Sequence, residues 1–147
     1  MIKVLVTGAG GDVGQGAIRS LLSLEIPVKI FATCVNKYSS WLYHPEVISY
    51  IAPLSSSKEY IPFLIKILNK FEINLLITTV DSEISLISKN KKLIEDSTKA
   101  IVFVDNYRSV SICNDKYLTY KFLKENNFAY LKTNLFSEFK LLKKKSD

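Results

Sequence analysis

The chain has 147 residues, 48% of them hydrophobic and 23% charged, a length that suits one domain and a composition that suits a packed core. No apolar run approaches the roughly 18 residues of a membrane span, and the opening Met1-Ile2-Lys3-Val4-Leu5-Val6 turns into glycines without the form of a signal peptide. The net charge of +6 is uneven: residues 116–147 hold 8 basic and 3 acidic groups, residues 1–90 hold 8 and 7. A nucleic-acid binder would carry a basic stripe interleaved with aromatics along the folded domain, so neither a nucleic-acid nor a membrane partner is expected.

The only histidine, His44, excludes a histidine-rich zinc site and leaves a Ser-His-Asp triad a single candidate. Its setting between Tyr43 and Pro45 reads as that of a surface or packing residue. No metal site is expected. Cys34 and Cys113 lack metal or redox spacing and lie among apolar residues, so both read as reduced core or near-core groups of a cytoplasmic protein.

Residues 2–7 are short, apolar and β-branched, the pattern of a buried parallel strand. A helix is predicted over 12–24, with Val13, Ala17, Leu21 and Leu24 facing the core. Strands follow at 28–33 and 47–51, separated by a loop with an irregular turn at Trp41. Ser56-Ser57-Lys58-Glu59 has capping-box spacing, and the helix after it carries Phe63, Ile67, Leu68 and Phe71, with Pro62 in its opening turn. A strand at 74–80, a helix at 82–93 and a strand at 101–104 complete the alternation. The expected fold is an α/β, Rossmann-like parallel sheet with helices on both faces and right-handed crossovers. From Asn114, a plausible N-cap, a helix runs to Asn126-Asn127, which can close it in a left-handed turn. An extended segment at 128–133 and a helix from Leu135 bearing Phe136, Phe139 and Leu142 follow.

The most informative local motif is Thr7-Gly8-Ala9-Gly10-Gly11-Asp12-Val13-Gly14-Gln15-Gly16, five glycines in nine residues between a strand and a helix. Gly8 permits the tight turn, Gly10 and Gly11 let backbone N–H groups approach a ligand, and Gly14 allows close helix–strand packing. The helix start is a ready anion site. The same glycines also serve a reading in which they only shape the turn.

This loop is similar to the cofactor loop of short-chain dehydrogenases. Such a fold wants a carboxylate at the end of the second strand, where this chain has Thr33-Cys34-Val35-Asn36, with Lys37 the sole candidate for an NADP phosphate. Tyr117-Leu118-Thr119-Tyr120-Lys121 matches that family's Y-x-x-x-K pair, but sits in a helix that reads as amphipathic packing. A dehydrogenase-like nucleotide-binding domain is therefore the alternative, and a non-catalytic binding or dimerisation module the second alternative.

Another family fits the second half better. Thr78-Thr79-Val80-Asp81-Ser82-Glu83 resembles the strand-then-D-x-E segment of the N-terminal domain of the ATP-grasp superfamily. Asn114-Asp115-Lys116-Tyr117-Leu118 through Asn126-Asn127 resembles the helix joining that domain to the ATP-grasp domain. Phe128 to Thr133 resembles the segment that often reads P-x-T, with Leu131 where proline is usual. The opening Val6-Thr7-Gly8-Ala9-Gly10-Gly11 is similar to that of carbamoyl-phosphate synthase-like members.

The resemblance implies a pre-ATP-grasp domain at 1–113, and at 114–147 a linker helix and the α+β beginning of an ATP-grasp domain. It implies a parent ligase that phosphorylates a carboxylate with ATP and Mg²⁺ and joins the acyl phosphate to an amine or other nucleophile. Substrate or phosphate binding falls to Gly8, Gly10, Gly11 and Gly14, with Asp81, Glu83 and Arg108 as substrate-binding candidates and Lys116 as the ATP-binding candidate. For Asp81 and Glu83 a second role stays open, with Asp81 capping a helix and Glu83 solvated; Lys116 reads equally as a solvated helix lysine. In the family the nucleotide-covering lysine, the glycine-rich flap and the Mg²⁺-binding Glu/Asn set lie further on than Asp147. The expectation is therefore a piece of a longer chain or a split-gene product, inactive alone, whose partners are the remaining ATP-grasp region and a small carboxylate. A homo-oligomer is left open.

Overall fold

The computed structural model describes residues 1–137, which divide into two compact units, residues 1–106 and residues 107 onward. In the first, strands β1 (Ile2–Val6), β2 (Val28–Cys34), β3 (Val47–Ile51), β4 (Leu75–Ile77) and β5 (Ile101–Phe103) form one parallel sheet in the order β3-β2-β1-β4-β5. Between them run α1 (Asp12–Leu22), a 3₁₀ turn (Ser40–Tyr43), α2 (Tyr60–Phe71), α3 (Asp81–Lys89) and α4 (Lys91–Ser97). This is the expected Rossmann-like α/β fold.

The continuous apolar runs follow from burial on both faces of the sheet. Leu5, Phe31, Leu76 and Val102 point to one side, where Tyr60, Leu64 and Leu68 of α2, Ile87 of α3 and Ile94 of α4 cover them. Val4, Val6, Ile30, Ala32 and Cys34 point to the other, against Ile18 of α1 and Leu42 of the 3₁₀ turn. Asn74 fixes the register at the amino end: its N–H donates to Lys3 O while its Oδ1 accepts from Lys3 N–H, each at 2.9 Å.

Several elements differ from expectation for local physical reasons. In α1 the buried positions are Gly14 and Ile18, with Ala17 and Leu21 beside them. Val13 is 67% exposed and Leu24 lies past the helix end, so the buried stripe is rotated by one residue. The Ser56/Glu59 capping box does not form. Helix α2 begins at Tyr60 without a side-chain cap, and Ser57 Oγ accepts instead from Glu59 N–H at 3.2 Å. Pro62 is the third residue of α2, inside the first turn, where a missing N–H costs no helical bond. The α2 core positions are Tyr60, Leu64, Ile67 and Leu68, with Phe63 and Phe71 only partly covered. Glu72 closes the helix at φ 50°, and Ile73 N–H returns to Leu68 O. The helix predicted over 82–93 is two helices broken at Asn90, whose Nδ2 donates to Leu86 O.

In the second unit, α5 (Tyr107–Asn114) and α6 (Lys116–Glu125) follow one another with Asp115 between them. Helix α5 was not expected; its Tyr107-Arg108-Ser109 start carries no apolar periodicity. Asn114 ends α5, and Asp115 is the N-cap of α6, its carboxylate accepting from Tyr117 and Leu118 N–H at 2.8 and 3.0 Å. Asn127 takes the expected left-handed turn at φ 58°. Phe128 N–H reaches back to Leu123 O at 2.9 Å, and the Phe128 ring stacks on Phe122, a Schellman closure. Residues 128–135 contain no regular strand. Phe139, Leu142 and most of the final helix predicted from Leu135 lie outside the described residues. Cys34 is buried as expected, whereas Cys113 is exposed.

Leu64 is fully buried between α2 and the sheet. Leu64→Ala is expected to lower unfolding free energy by about 2–5 kcal/mol, read as a drop in the urea midpoint. An unchanged midpoint would mean that α2 does not cover the sheet.

Candidate functional site

The loop after β1 leaves the sheet where the strand order reverses, between β1 and β4, the position at which open α/β sheets bind ligands. Thr7 N–H still bonds β4 through Ile77 O, and two residues on Ala9 N–H bonds the end of β2 through Thr33 O, both at 3.0 Å. Gly11 N–H then donates to Gly8 O, and α1 starts with no side chain capping it. Gly8 adopts φ +67°, a conformation L side chains rarely take, and a Cβ there would strike Val80 and Thr79. A Cβ on Gly14 would strike the Gly8 carbonyl. Gly10 faces Ser39 Oγ and Cys34 Sγ, which contact one another at 3.2 Å, so its missing side chain makes room for protein atoms and not for a ligand. Gly11 meets only the Gly8 carbonyl at 3.6 Å, and Gly16 meets nothing within 4 Å.

On the opposite wall, Thr78 and Thr79 continue the path of β4 by side-chain bonding. Thr79 Oγ1 donates to Thr7 O at 2.6 Å, and the hydroxyls of Thr7 and Thr78 meet at 3.3 Å. This is why β4 stops at Ile77 and not at the predicted residue 80. Val80, not Asp81, is the N-cap of α3. Asp81 is exposed, whereas Glu83, in the same turn, is only 5% exposed; its solvated reading is thereby corrected. Burial drives the Glu83 carboxyl above the usual carboxylate range, and the hydroxyls of Thr7 and Tyr60, which pull the other way, do not offset it. Tyr60 is fully buried, and burial, with Glu83 second, holds its phenol far above the ordinary value. Neither Glu83 Oε2 nor Tyr60 Oη has a hydrogen-bond partner among the described residues.

Glu83 lines a cavity of about 150 Å³ together with Gly8, Gly11, Ser55, Ser82 and Cys34. Ser55 Oγ donates to Ser82 Oγ at 3.0 Å across its rim. The structure thus gathers Gly8, Gly11 and Glu83 around one cavity, props the loop on Gly14, and leaves Gly10 and Asp81 outside the lining. Tyr60, Ser55 and Cys34 are members of this region that the sequence did not single out. The run Ser55-Ser56-Ser57 ahead of a helix was the available signal for Ser55; no sequence signal marked Tyr60.

The remaining candidates lie in the second unit. Arg108 is exposed in the first turn of α5, not in a loop. Lys116, the first residue of α6, lines a groove of about 440 Å³ with Thr119, Tyr120, Leu123 and Tyr130. Lys121 places its ammonium over the Tyr117 ring at 4.6 Å, a packing pair on one helix face. At the end of β2, Asn36 Oδ1 accepts from Tyr38 N–H and the Lys37 ammonium lies over the Tyr38 ring. His44 stacks on Trp41, and its Nδ1 accepts from Glu46 N–H. Among the described residues no helix is long and apolar enough to cross a membrane.

A parallel sheet with a glycine turn at its switch point defines the Rossmann-like class. Solved structures share that fold. The dTDP-glucose 4,6-dehydratase of Bacillus anthracis, solved with NAD, is 13% identical with a TM-score of 0.52, over 69% of this chain and 36% of that one. The yeast methylglyoxal/isovaleraldehyde reductase Gre2, complexed with NADPH, is 12% identical with a TM-score of 0.53, over 86% of this chain and 50% of that one. The chain thus spans between a third and a half of these structures, and identities this low carry the fold alone. No curated protein matches the chain. The family model of the PylC-like N-terminal domain matches residues 4–102, about two thirds of the chain. The chain belongs to that family, a family of pre-ATP-grasp domains of ATP-grasp ligases.

Two predictions follow from this geometry. Gly14→Ala is expected to cost about 1–3 kcal/mol through overpacking against the Gly8 carbonyl. Gly16→Ala, in open space on the same helix, is expected to gain up to about 1 kcal/mol. Parallel chemical denaturation compares them, and equal effects would refute the tight seat of Gly14. Second, the native state holds the Glu83 proton at pH values where the unfolded chain has released it. Stability attributable to Glu83 is therefore full below the unfolded carboxylate value and is lost as pH rises toward the native one. Glu83→Gln removes that loss, so its melting temperature should exceed the wild type by a margin that widens from pH 4 to pH 8. A margin independent of pH would place an ordinary, solvated carboxyl at this position.

Proposed function

We propose that this chain is the substrate-binding N-terminal part of an ATP-dependent carboxylate–amine ligase, and that it does not catalyse ligation alone. The observation that carries the reading is the family match over residues 4–102, set beside a cavity at the carboxyl end of the sheet lined by the glycine turn and Glu83. The parent activity would form an acyl phosphate from a carboxylate and ATP and pass the acyl group to an amine. A carbamoyl-phosphate synthase-like parent is one form this takes. Its partners would be the ATP-grasp region, in the same chain or a separate subunit, and a small carboxylate substrate, in the cytoplasm.

ATP and Mg²⁺ would be held chiefly by that region. Lys116 suits contact with a phosphate oxygen, being exposed at the first turn of α6 beside an apolar groove. Among the described residues no group of three Asp, Glu, His or Cys side chains gathers to hold a metal. Bound Mg²⁺ would neutralise phosphate charge, and this chain's share is positioning.

The test measures ADP release by the purified 147-residue chain with ATP, Mg²⁺ and a panel of carboxylates and amines, with and without an ATP-grasp region supplied from its own gene neighbourhood. ADP release is expected only when that region is present, and to require both carboxylate and amine. Turnover by the chain alone, or saturable micromolar NADPH binding seen by fluorescence titration, would overturn the reading.

A further inference from the structure

The cavity beside the glycine turn is lined by nine residues, none of them lysine, arginine or histidine. Its one acid, Glu83, is 95% buried, and its Oε2 has no partner among the described residues. Only neutral hydroxyls, those of Thr7 and Tyr60, lie toward this carboxyl, and a buried carboxylate without a cation is costly unless something else supplies the missing charge. We infer that this cavity is a subsite for a primary ammonium group, with the Glu83 carboxylate as its acceptor and the Ser55 and Ser82 hydroxyls as the neutral groups around it. It is the amine side of the ligation, not the carboxylate side, that this domain would hold. The inference rests on the ligase reading for its biological role, and on the cavity alone for its chemistry.

The surroundings agree. Tyr60 of α2 faces Glu83 and is itself kept neutral by burial. Thr7, the residue after β1, presents a hydroxyl shared between Thr78 and Glu83. Cys34 of β2, with its thiol on Ser39, is the only other titratable side chain in the lining, and Asp81, on Glu83's own helix, is exposed outside it. No fixed positive charge therefore competes with an incoming ammonium. An anionic ligand would meet Glu83 with no cation to offset it. Ammonium binding favours the ionised carboxyl, so it expels the proton that burial retains, and affinity should rise as pH rises through the Glu83 titration.

The experiment uses n-butylammonium and butyrate, probes of equal size and opposite charge, on the whole chain labelled with ¹³C at the glutamate carboxyls and ¹⁵N at the backbone. n-Butylammonium is expected to lower the Glu83 titration midpoint saturably and to shift the amides of Gly8, Gly11, Ser55 and Ser82. Butyrate should bind at least about tenfold more weakly. Glu83→Gln should lose the n-butylammonium response by a similar factor while keeping a folded amide spectrum. Tighter binding of butyrate, an unmoved Glu83 midpoint, or full n-butylammonium binding by the glutamine variant would each overturn the inference. These outcomes are independent of ADP release: a positive n-butylammonium result stands if the ligase reading fails, and a negative one leaves that reading intact.

Discussion

The contact on which the rest of the site depends is the seat of Gly14 on the carbonyl of Gly8. It brings the first turn of α1 against the exit of β1 at a distance no side chain allows, so the helix leaves the sheet at once. Gly8 accepts the left-handed conformation this requires, and its carbonyl also takes the Gly11 N–H. The two bonds of Thr7 and Ala9, one to each neighbouring strand, then fix the loop from both sides. All five glycines of the chain fall within this stretch, yet they do different things. Gly8 and Gly14 build the turn, Gly10 admits Cys34 and Ser39, Gly11 faces the cavity, and Gly16 does none of these.

The turn also determines why a carboxyl can be buried opposite it. The bond from Thr79 Oγ1 to Thr7 O ties the residues ahead of α3 to the glycine loop. That tie sets the first turn of α3 against β1, and Glu83, two residues past Asp81, faces inward toward Tyr60. A helix start tolerates an acid through its dipole, by typically 0.3–1 kcal/mol near the surface. Here desolvation is the larger effect, and the carboxyl rises in pKa despite its favourable helical position.

The sheet and its alternation with helices were legible because strands buried on both faces are continuously apolar, as in Val4-Leu5-Val6 and Ile30-Phe31-Ala32. The left-handed close at Asn127 was legible from asparagine chemistry. The errors fall where polar side chains decide. Ser57 took the Glu59 N–H and pre-empted the capping box. Asn90 split one helix into two. Thr78 and Thr79 replaced strand ladder with hydroxyl bonds. In the site, the glycine turn could be read from spacing, since only backbone geometry is at stake. The burial of Glu83 could not, because it depends on packing against Tyr60, 23 residues earlier in the chain.

The fold alone does not choose between a nucleotide cofactor and a small substrate at this switch point, since dehydrogenase folds share the sheet and turn. The side chains at the end of β2 do discriminate. A dinucleotide's ribose needs an acceptor there, and Thr33-Cys34-Val35-Asn36 supplies no acid. Cys34 is committed to Ser39 and Asn36 to Tyr38 N–H. The acid that the region does possess stands on the other side of the crevice, on α3, within a cavity of about 150 Å³. That volume is well below the roughly 300–1,000 Å³ of an ordinary cofactor or drug-sized pocket. An acid on α3 does not stand at the end of β2, where a ribose acceptor belongs. The kind of turn that serves a dinucleotide in other Rossmann-like proteins here borders a cavity whose one acid is Glu83.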